Sequence, residues 1–390
     1  MDYVKDIVYK AEDRRISIAL MSAYVILTFQ YFLIASLNLF GTLWLVRIQF
    51  FSKMLVGLIF AYAFPIVWKR QKIRIMGLYF FWIIVFLTHY LFFPDNRNAL
   101  HDIIFYLFFM CIPALVYSRS LKDWSLFKKV IDHSSLIVFW LCFVLALLVI
   151  SGTAFIGTYS MPLAYYALLP ATIFVNEWFK HITLKNGFFG LTSILIILAL
   201  GSRGPIFCLG VFVILRMLKP TRRYKLKEIF SYLFIMLALI ICLLFFKEIL
   251  ILIDNYLLLL GIKSRSITLF LRPKIFLSGR DKLYHVVIRD LLKHPLVGLG
   301  LAGDRLLVGG YVHNFFIEVL AHFGVVMGSI LLVWFMVRLI MSIKNNTKHI
   351  HKYEMIIIWI ALGLAPLMVS SSYLININFW ILLGLMSRDS

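Results

Sequence analysis

The chain has 390 residues, 62% of them hydrophobic and 15% charged, at a mean hydropathy of +0.94. A water-soluble protein of this length needs far more polar surface, so the composition excludes a soluble globular chain and makes lipid the main solvent. The net charge of +21 does not argue for nucleic acid, because the basic residues cluster between apolar runs, as an orientation signal does.

In chain order, the first fifteen residues are charged and contain no cleavable apolar core, so the first apolar segment is expected to insert and be retained. Twelve candidate spans follow, at 16–37, 51–68, 76–93, 103–117, 136–151, 161–179, 187–201, 204–218, 229–246, 314–337, 355–370 and 376–387. Several fall short of the ~20 residues a perpendicular helix needs, which predicts extension by flanking polar residues or partial crossing. The expected fold is an all-α integral-membrane protein, a polytopic bundle of about twelve transmembrane helices forming one domain over 1–390. Cys111, Cys142, Cys208 and Cys242 all lie within apolar segments at unrelated spacings and read as packing residues, with neither disulfide nor metal.

Charge orients the spans. Clusters such as Lys5/Lys10/Arg14/Arg15, Lys69/Arg70/Lys72/Arg74, Arg119/Lys122/Lys128/Lys129 and Arg222/Arg223/Lys225/Lys227 fall on one side. The other side keeps Arg47, Lys53, Arg97 and Arg203, apart from one long connection at 247–313. The positive-inside rule then predicts both termini cytoplasmic and the long loop extracytoplasmic. That loop holds Lys247, Lys263, Arg265, Arg272, Lys274, Arg280, Lys282, Arg289, Lys293 and Arg305, against Glu248, Asp254, Asp281, Asp290 and Asp304. Exporting so much positive charge opposes the orientation rule, and an anionic ligand outside is the simplest reason to keep it.

Four motifs stand out, each with a plainer reading beside it. Gly201-Ser202-Arg203-Gly204-Pro205 is a tight turn between spans; Arg203 at the membrane boundary either snorkels to lipid phosphates or serves a site. Ser278-Gly279-Arg280-Asp281 opens a helix whose apolar positions 283, 286, 287 and 291 make it amphipathic. Arg280 in its first turn can address a phosphate or pair with Asp281 and solvent. Gly298-Leu299-Gly300-Leu301-Ala302-Gly303 matches the dinucleotide glycine pattern by letter only, since no βαβ unit surrounds it; close packing is its expected role. His313 opens the tenth span and is suited to serve a hydroxyl nucleophile. Behind it Asn314, Glu318 and His322 share a helix face, where a buried Glu318–His322 pair holding helices together is the plain alternative.

Taken together, Ser202-Arg203-Gly204, Gly279-Arg280 and His313-Asn314-Phe315-Phe316-Ile317-Glu318 through Gly324, in this order around a large loop after about nine spans, resemble the bacterial O-antigen polymerase and O-antigen ligase family, the Wzy/WaaL-like membrane glycosyltransferases. The match is centred on 160–340. The resemblance implies a GT-C-like, inverting, metal-independent enzyme without cofactors, on the outer face of a bacterial inner membrane. Its donor is a glycan on undecaprenyl diphosphate. By the same resemblance His313 is the catalytic residue and Arg203 and Arg280 bind the diphosphate. Asn314, Glu318, Arg289 and Tyr159 are secondary candidates; Tyr159, Tyr165 and Tyr166, on the expected outer side of the sixth span, are candidate sugar contacts by position. Implied partners are the lipid-linked oligosaccharide, membrane lipids and a chain-length regulator protein, with no nucleic acid. The short interval between Arg280 and His313 favours a polysaccharide polymerase over an O-antigen ligase that transfers to lipid A core. A lipid-linked oligosaccharide transporter is the alternative from another class, but the internal repeat it calls for is not evident.

Overall fold

The computed structural model describes residues 2–151, 153–154, 161–200, 202–218, 246–259, 261, 271, 280–345 and 350–387. Among them every regular element is helical. Six stretches are long and apolar enough to cross a membrane: Tyr9–Ser36, Leu43–Phe92, Pro94–Ser120, Trp124–Val149, Phe315–Lys344 and His351–Met368. Leu184–Ala199, Gly204–Met217 and Ile377–Met386 are apolar but shorter. The expected spans at 51–68 and 76–93 are halves of one helix, α2 (Leu43–Phe92), which follows α1 (Asp2–Ser36). At ~1.5 Å per residue α2 far exceeds one bilayer crossing; it breaks at Gln71 (φ −137°, ψ 20°), inside the Lys69–Arg74 basic cluster. The expected span at 229–246 lies almost entirely outside the described residues. Leu43, Trp44, Ile73 and Phe92 are among many large apolar side chains exposed along α2, as suits a lipid-facing helix.

The chain divides into two compact units. The first comprises 1–20, 58–130 and 277–390. Here α3 (Arg97–Tyr106) runs through a π-turn at Leu107–Cys111 into α4 (Ile112–Ser120), and α5 starts at Trp124 (Trp124–Ile150). The C-terminal helix of the unit, Ile377–Met386, packs against α4 with Gly384 at the crossing, where an added Cβ would collide with Ser118 and the Leu115 carbonyl. Small residues allow such close backbone approach where lipid offers no hydrophobic drive. Phe127 stacks on the fully buried Trp359 at 6.3 Å between centroids.

The second unit comprises 21–57 and 131–276. There α6 (Met161–Lys180) and α7 (Leu184–Ala199) pair across a short turn, with Thr183 capping α7 by accepting from Asn186 N–H at 3.2 Å. Phe139, Phe174 and Phe189 form an aromatic trio with centroids 5.0–5.5 Å apart. Next comes α8 (Gly204–Met217), with Pro205 in its first turn, where the missing N–H costs nothing. Part of the long connection is itself helical, as α9 (Phe246–Leu259).

Candidate functional site

In the first unit two short helices and one long one build the site. The amphipathic helix expected after Gly279 is present as α10 (Arg280–Leu291), burying Val287 and Leu291. A glycine-rich turn leads to α11 (Asp304–Val308), and α12 (Phe315–Asn345) follows His313. Val287, Val312 and Ala321 form a small core under Tyr284, Leu299, Val308 and Ile317, fastening α10 and α11 to α12.

The glycine run anchors the loop through a break in α12. At Gly324 (φ 76°) the helix leaves its regular path, so the 321 carbonyl and the 325 amide lose each other. The loop replaces both partners: Leu299 N–H donates to the Ala321 carbonyl at 2.7 Å, and Val325 N–H donates to the Pro295 carbonyl at 2.6 Å. Gly298 (φ 75°) fits only because it lacks a Cβ, which would stand 2.5 Å from Gly324 N. From the other side Asn96 Nδ2 donates to the Leu299 carbonyl at 2.8 Å, and Leu301 N–H donates to His89 Nδ1 at 3.0 Å. His89 is thus a loop anchor.

Behind this loop lies a buried polar chain. Asp304 Oδ1 and His322 Nε2 are 2.8 Å apart, and His322 Nδ1 is 2.8 Å from Tyr373 Oη. Asp304 Oδ2 accepts from Val312 N–H at 3.0 Å. Glu318 accepts from Ser372 Oγ and, at 3.4 Å, from Tyr373 N–H. Trp380 Nε1 fixes the Tyr373 carbonyl at 2.7 Å. Asp304, Glu318 and His322 are fully buried, and Arg305 lies close enough for its charge to act on Asp304 and Tyr373. Burial pushes the Asp304 carboxyl up, but the charge and hydrogen bond of His322, the Val312 amide and Arg305 hold it below the ordinary carboxylate value. Tyr373 is pushed well above its ordinary value, by burial first and by the carboxylates beside it. Glu318 and His322 therefore share a face as expected, yet each has its own partner. The ligand-type atoms of Asp304, Glu318 and His322 lie within 4.8 Å of one another, but the two nitrogens of His322 are both engaged by protein groups.

His313 stands at the edge of this chain in a left-handed backbone conformation (φ 58°), strained for a residue with a Cβ. Tyr284 Oη donates to its carbonyl at 3.5 Å, and its ring meets Tyr311 edge-on at 4.5 Å. Its Nδ1 is buried without a hydrogen-bond partner. Burial and then the nearby charge of Arg280 lower its pKa, against smaller opposing effects from the Ser370 carbonyl and Asp304. At neutral pH the ring is a neutral imidazole able to accept a proton.

Arg280, at the start of α10, lies close enough to His313 for its charge to act on the imidazole. Asn314 caps α12, its Oδ1 accepting from Phe316 and Ile317 N–H at 3.1 and 3.2 Å. Arg289, nine residues beyond Arg280 on α10, lies on the opposite helix face and is exposed. Arg203 belongs to the second unit, half-buried at the N-cap of α8. Tyr159 lies outside the described residues. Sequence reading missed Asp304, Tyr373, Tyr311 and Arg305 as site residues; the one available signal was an acid directly after the glycine run. No family model matches the chain, and neither a curated protein nor a solved structure shows significant similarity to it.

Proposed function

We propose that this chain is a membrane glycosyltransferase of the polysaccharide-polymerase kind, with twelve spans in a GT-C-like bundle and its site on the extracytoplasmic face. The observation that carries the reading is the half-buried His313, its Nδ1 without a hydrogen-bond partner, at the edge of the Asp304–His322–Tyr373 chain and within reach of the Arg280 charge. A hydroxyl of the incoming repeat unit attacks the anomeric carbon of the glycan on its carrier. The bond from that carbon to the diphosphate oxygen breaks, and the electron pair leaves with undecaprenyl diphosphate. His313 orients the hydroxyl and takes its proton at Nδ1, and Arg280 stabilises the negative charge growing on the leaving group. Arg203 enters as a second diphosphate contact on the sequence resemblance alone, and Tyr159 as a sugar contact from its expected place on the outer side of the sixth span.

The test is a product gel from purified protein in lipid given only undecaprenyl-diphosphate-linked repeat unit. A ladder of increasing length that is absent with His313→Ala supports the polymerase. Transfer only after addition of lipid A core makes it a ligase. Movement of the lipid-linked sugar between leaflets without any product makes it a transporter.

A further inference from the structure

The connection before α12 reads from its charges as an aqueous loop, yet its elbow carries three bare apolar side chains. Leu292, Leu296 and Val297 are 66%, 73% and 62% exposed. The helices they touch fix their depth. Val325 N–H donates to the Pro295 carbonyl and Leu299 N–H to that of Ala321, so the elbow lies against α12 at 321–325. There Phe323 meets His89 of α2 edge-on at 5.8 Å. His89 is fifteen residues beyond Arg74, at the basic break of α2, and Phe323 is fifteen residues before Arg338, the first arginine of α12. At ~1.5 Å per residue both rulers give ~22 Å, in a hydrocarbon core ~30 Å thick. In the other direction the exposed Asp95 is six residues from His89, ~9 Å. The elbow therefore sits just inside the apolar layer on the loop's side.

The backbone of the elbow suits that depth. Pro295 has no N–H to satisfy, and five of the other seven residues from Leu292 to Leu299 donate within the protein. Leu292, Lys293, His294 and Gly298 bond the carbonyls of Ile288, Asp290, Leu291 and His294 at 2.8–3.1 Å, and Leu299 bonds Ala321. Backbone at a lipid boundary needs such partners. The two N–H groups left over, of Leu296 and Val297, stand at the turn itself and set the elbow at the edge of the apolar layer, not at its centre. Lys293 pairs with Asp290 at 2.5 Å and is 60% exposed, as a basic side chain reaching for headgroups is. Val325, Val326 and Met327, the next residues of α12, are exposed too. The apolar surface of the elbow thus runs on into a helix long and apolar enough to cross the membrane.

We propose that Leu292, Leu296 and Val297 insert among the acyl chains of the bilayer leaflet on the loop's side, an anchor independent of the function proposed above. The test places a nitroxide on Leu296→Cys and, separately, on Lys282→Cys, an exposed position in the first turn of α10. The full chain is held in vesicles of phosphatidylethanolamine and phosphatidylglycerol without polyprenyl lipid, and labelled wild type gives the background from the native cysteines. Relaxation by oxygen, which dissolves in acyl chains, is compared with relaxation by a water-soluble nickel chelate. Oxygen is expected to dominate at Leu296, with nickel collisions about tenfold fewer there than at Lys282. Equal nickel collisions at the two positions leave the elbow in water and overturn the proposal. Weak relaxation by both reagents at Leu296 means that protein covers it, a second copy or another chain, and also overturns it. An oxygen-rich reading that appears only after a polyprenyl phosphate is added gives the surface to that chain and overturns the bilayer anchor. Should Leu296→Cys fail to fold, the label on Leu292→Cys is expected to read as lipid, and a water reading there overturns the anchor.

Discussion

Two regions of the first unit bury ionisable groups and solve the same problem in opposite ways. Around Arg70 a permanent cation meets Glu12 and Asp13, with side chains only 8%, 21% and 1% exposed, respectively. No proton can leave a guanidinium, so the arrangement is fixed and acts as a staple between the first and second helices. Behind the glycine loop, Asp304, His322 and Tyr373 form a chain in which every link passes through a group that can gain or lose a proton. Buried charge of the first kind locks a fold; buried groups of the second kind can answer a change beside them, and His313 is what stands beside them.

The difference can be broken at either end. Arg70→Met leaves two carboxylates near the protein interior without their cation. It is expected to cost about 3–5 kcal/mol, seen as a large fall in the thermal unfolding midpoint in detergent. Asp304→Asn keeps the shape of its side chain but removes the charge that His322 faces. Glycan ladder formation is expected to drop by about 10²–10⁴-fold while protein yield holds. If Asp304→Asn instead unfolds the protein as Arg70→Met does, the two clusters are of one kind and the distinction fails.

Gly298→Ala tests the loop anchor that separates the two regions. A left-handed alanine costs about 1–2 kcal/mol, and its Cβ overlaps the α12 backbone. An unfolding midpoint equal to wild type would show that the loop accommodates a methyl group there.

The smallest effect is in pH. Because burial and Arg280 hold the His313 pKa down, the neutral base is lost only as pH falls through a value below the ordinary ~6.5. The acid limb of the rate profile is expected there. Arg280→Gln removes a lowering influence and should move whatever activity remains toward a higher acid limb. An unmoved limb would separate the arginine from the histidine.

Much of this was legible in the chain, for identifiable reasons. Membrane helices are written in runs of apolar residues, so every expected span that falls on described residues coincides with a helix. At Gln71 the polar stretch between two expected spans coincides with a kink in α2, so the break in hydropathy is matched by a break in backbone without an intervening loop. The helix from Arg280 was readable from its periodicity and His313 from its place before a span. Asp304 and Tyr373 were not, because each is ordinary in its own segment and they are joined only through a histidine remote from both.

Length, apolar content and the alternation of basic clusters with apolar runs by themselves determined that this is a helical membrane protein, since lipid permits no other use of such segments. They also singled out Arg280 and His313, because charged or titratable groups at a membrane boundary are costly and few. Tertiary structure alone decided that Gly298 and Gly324 splice the loop into α12, that His322 joins Asp304 to Tyr373, and that Arg70 takes both Glu12 and Asp13. Those facts depend on which carbonyl, amide or carboxylate arrives opposite each group. That is settled by the close approach of segments far apart in sequence, which no local pattern records.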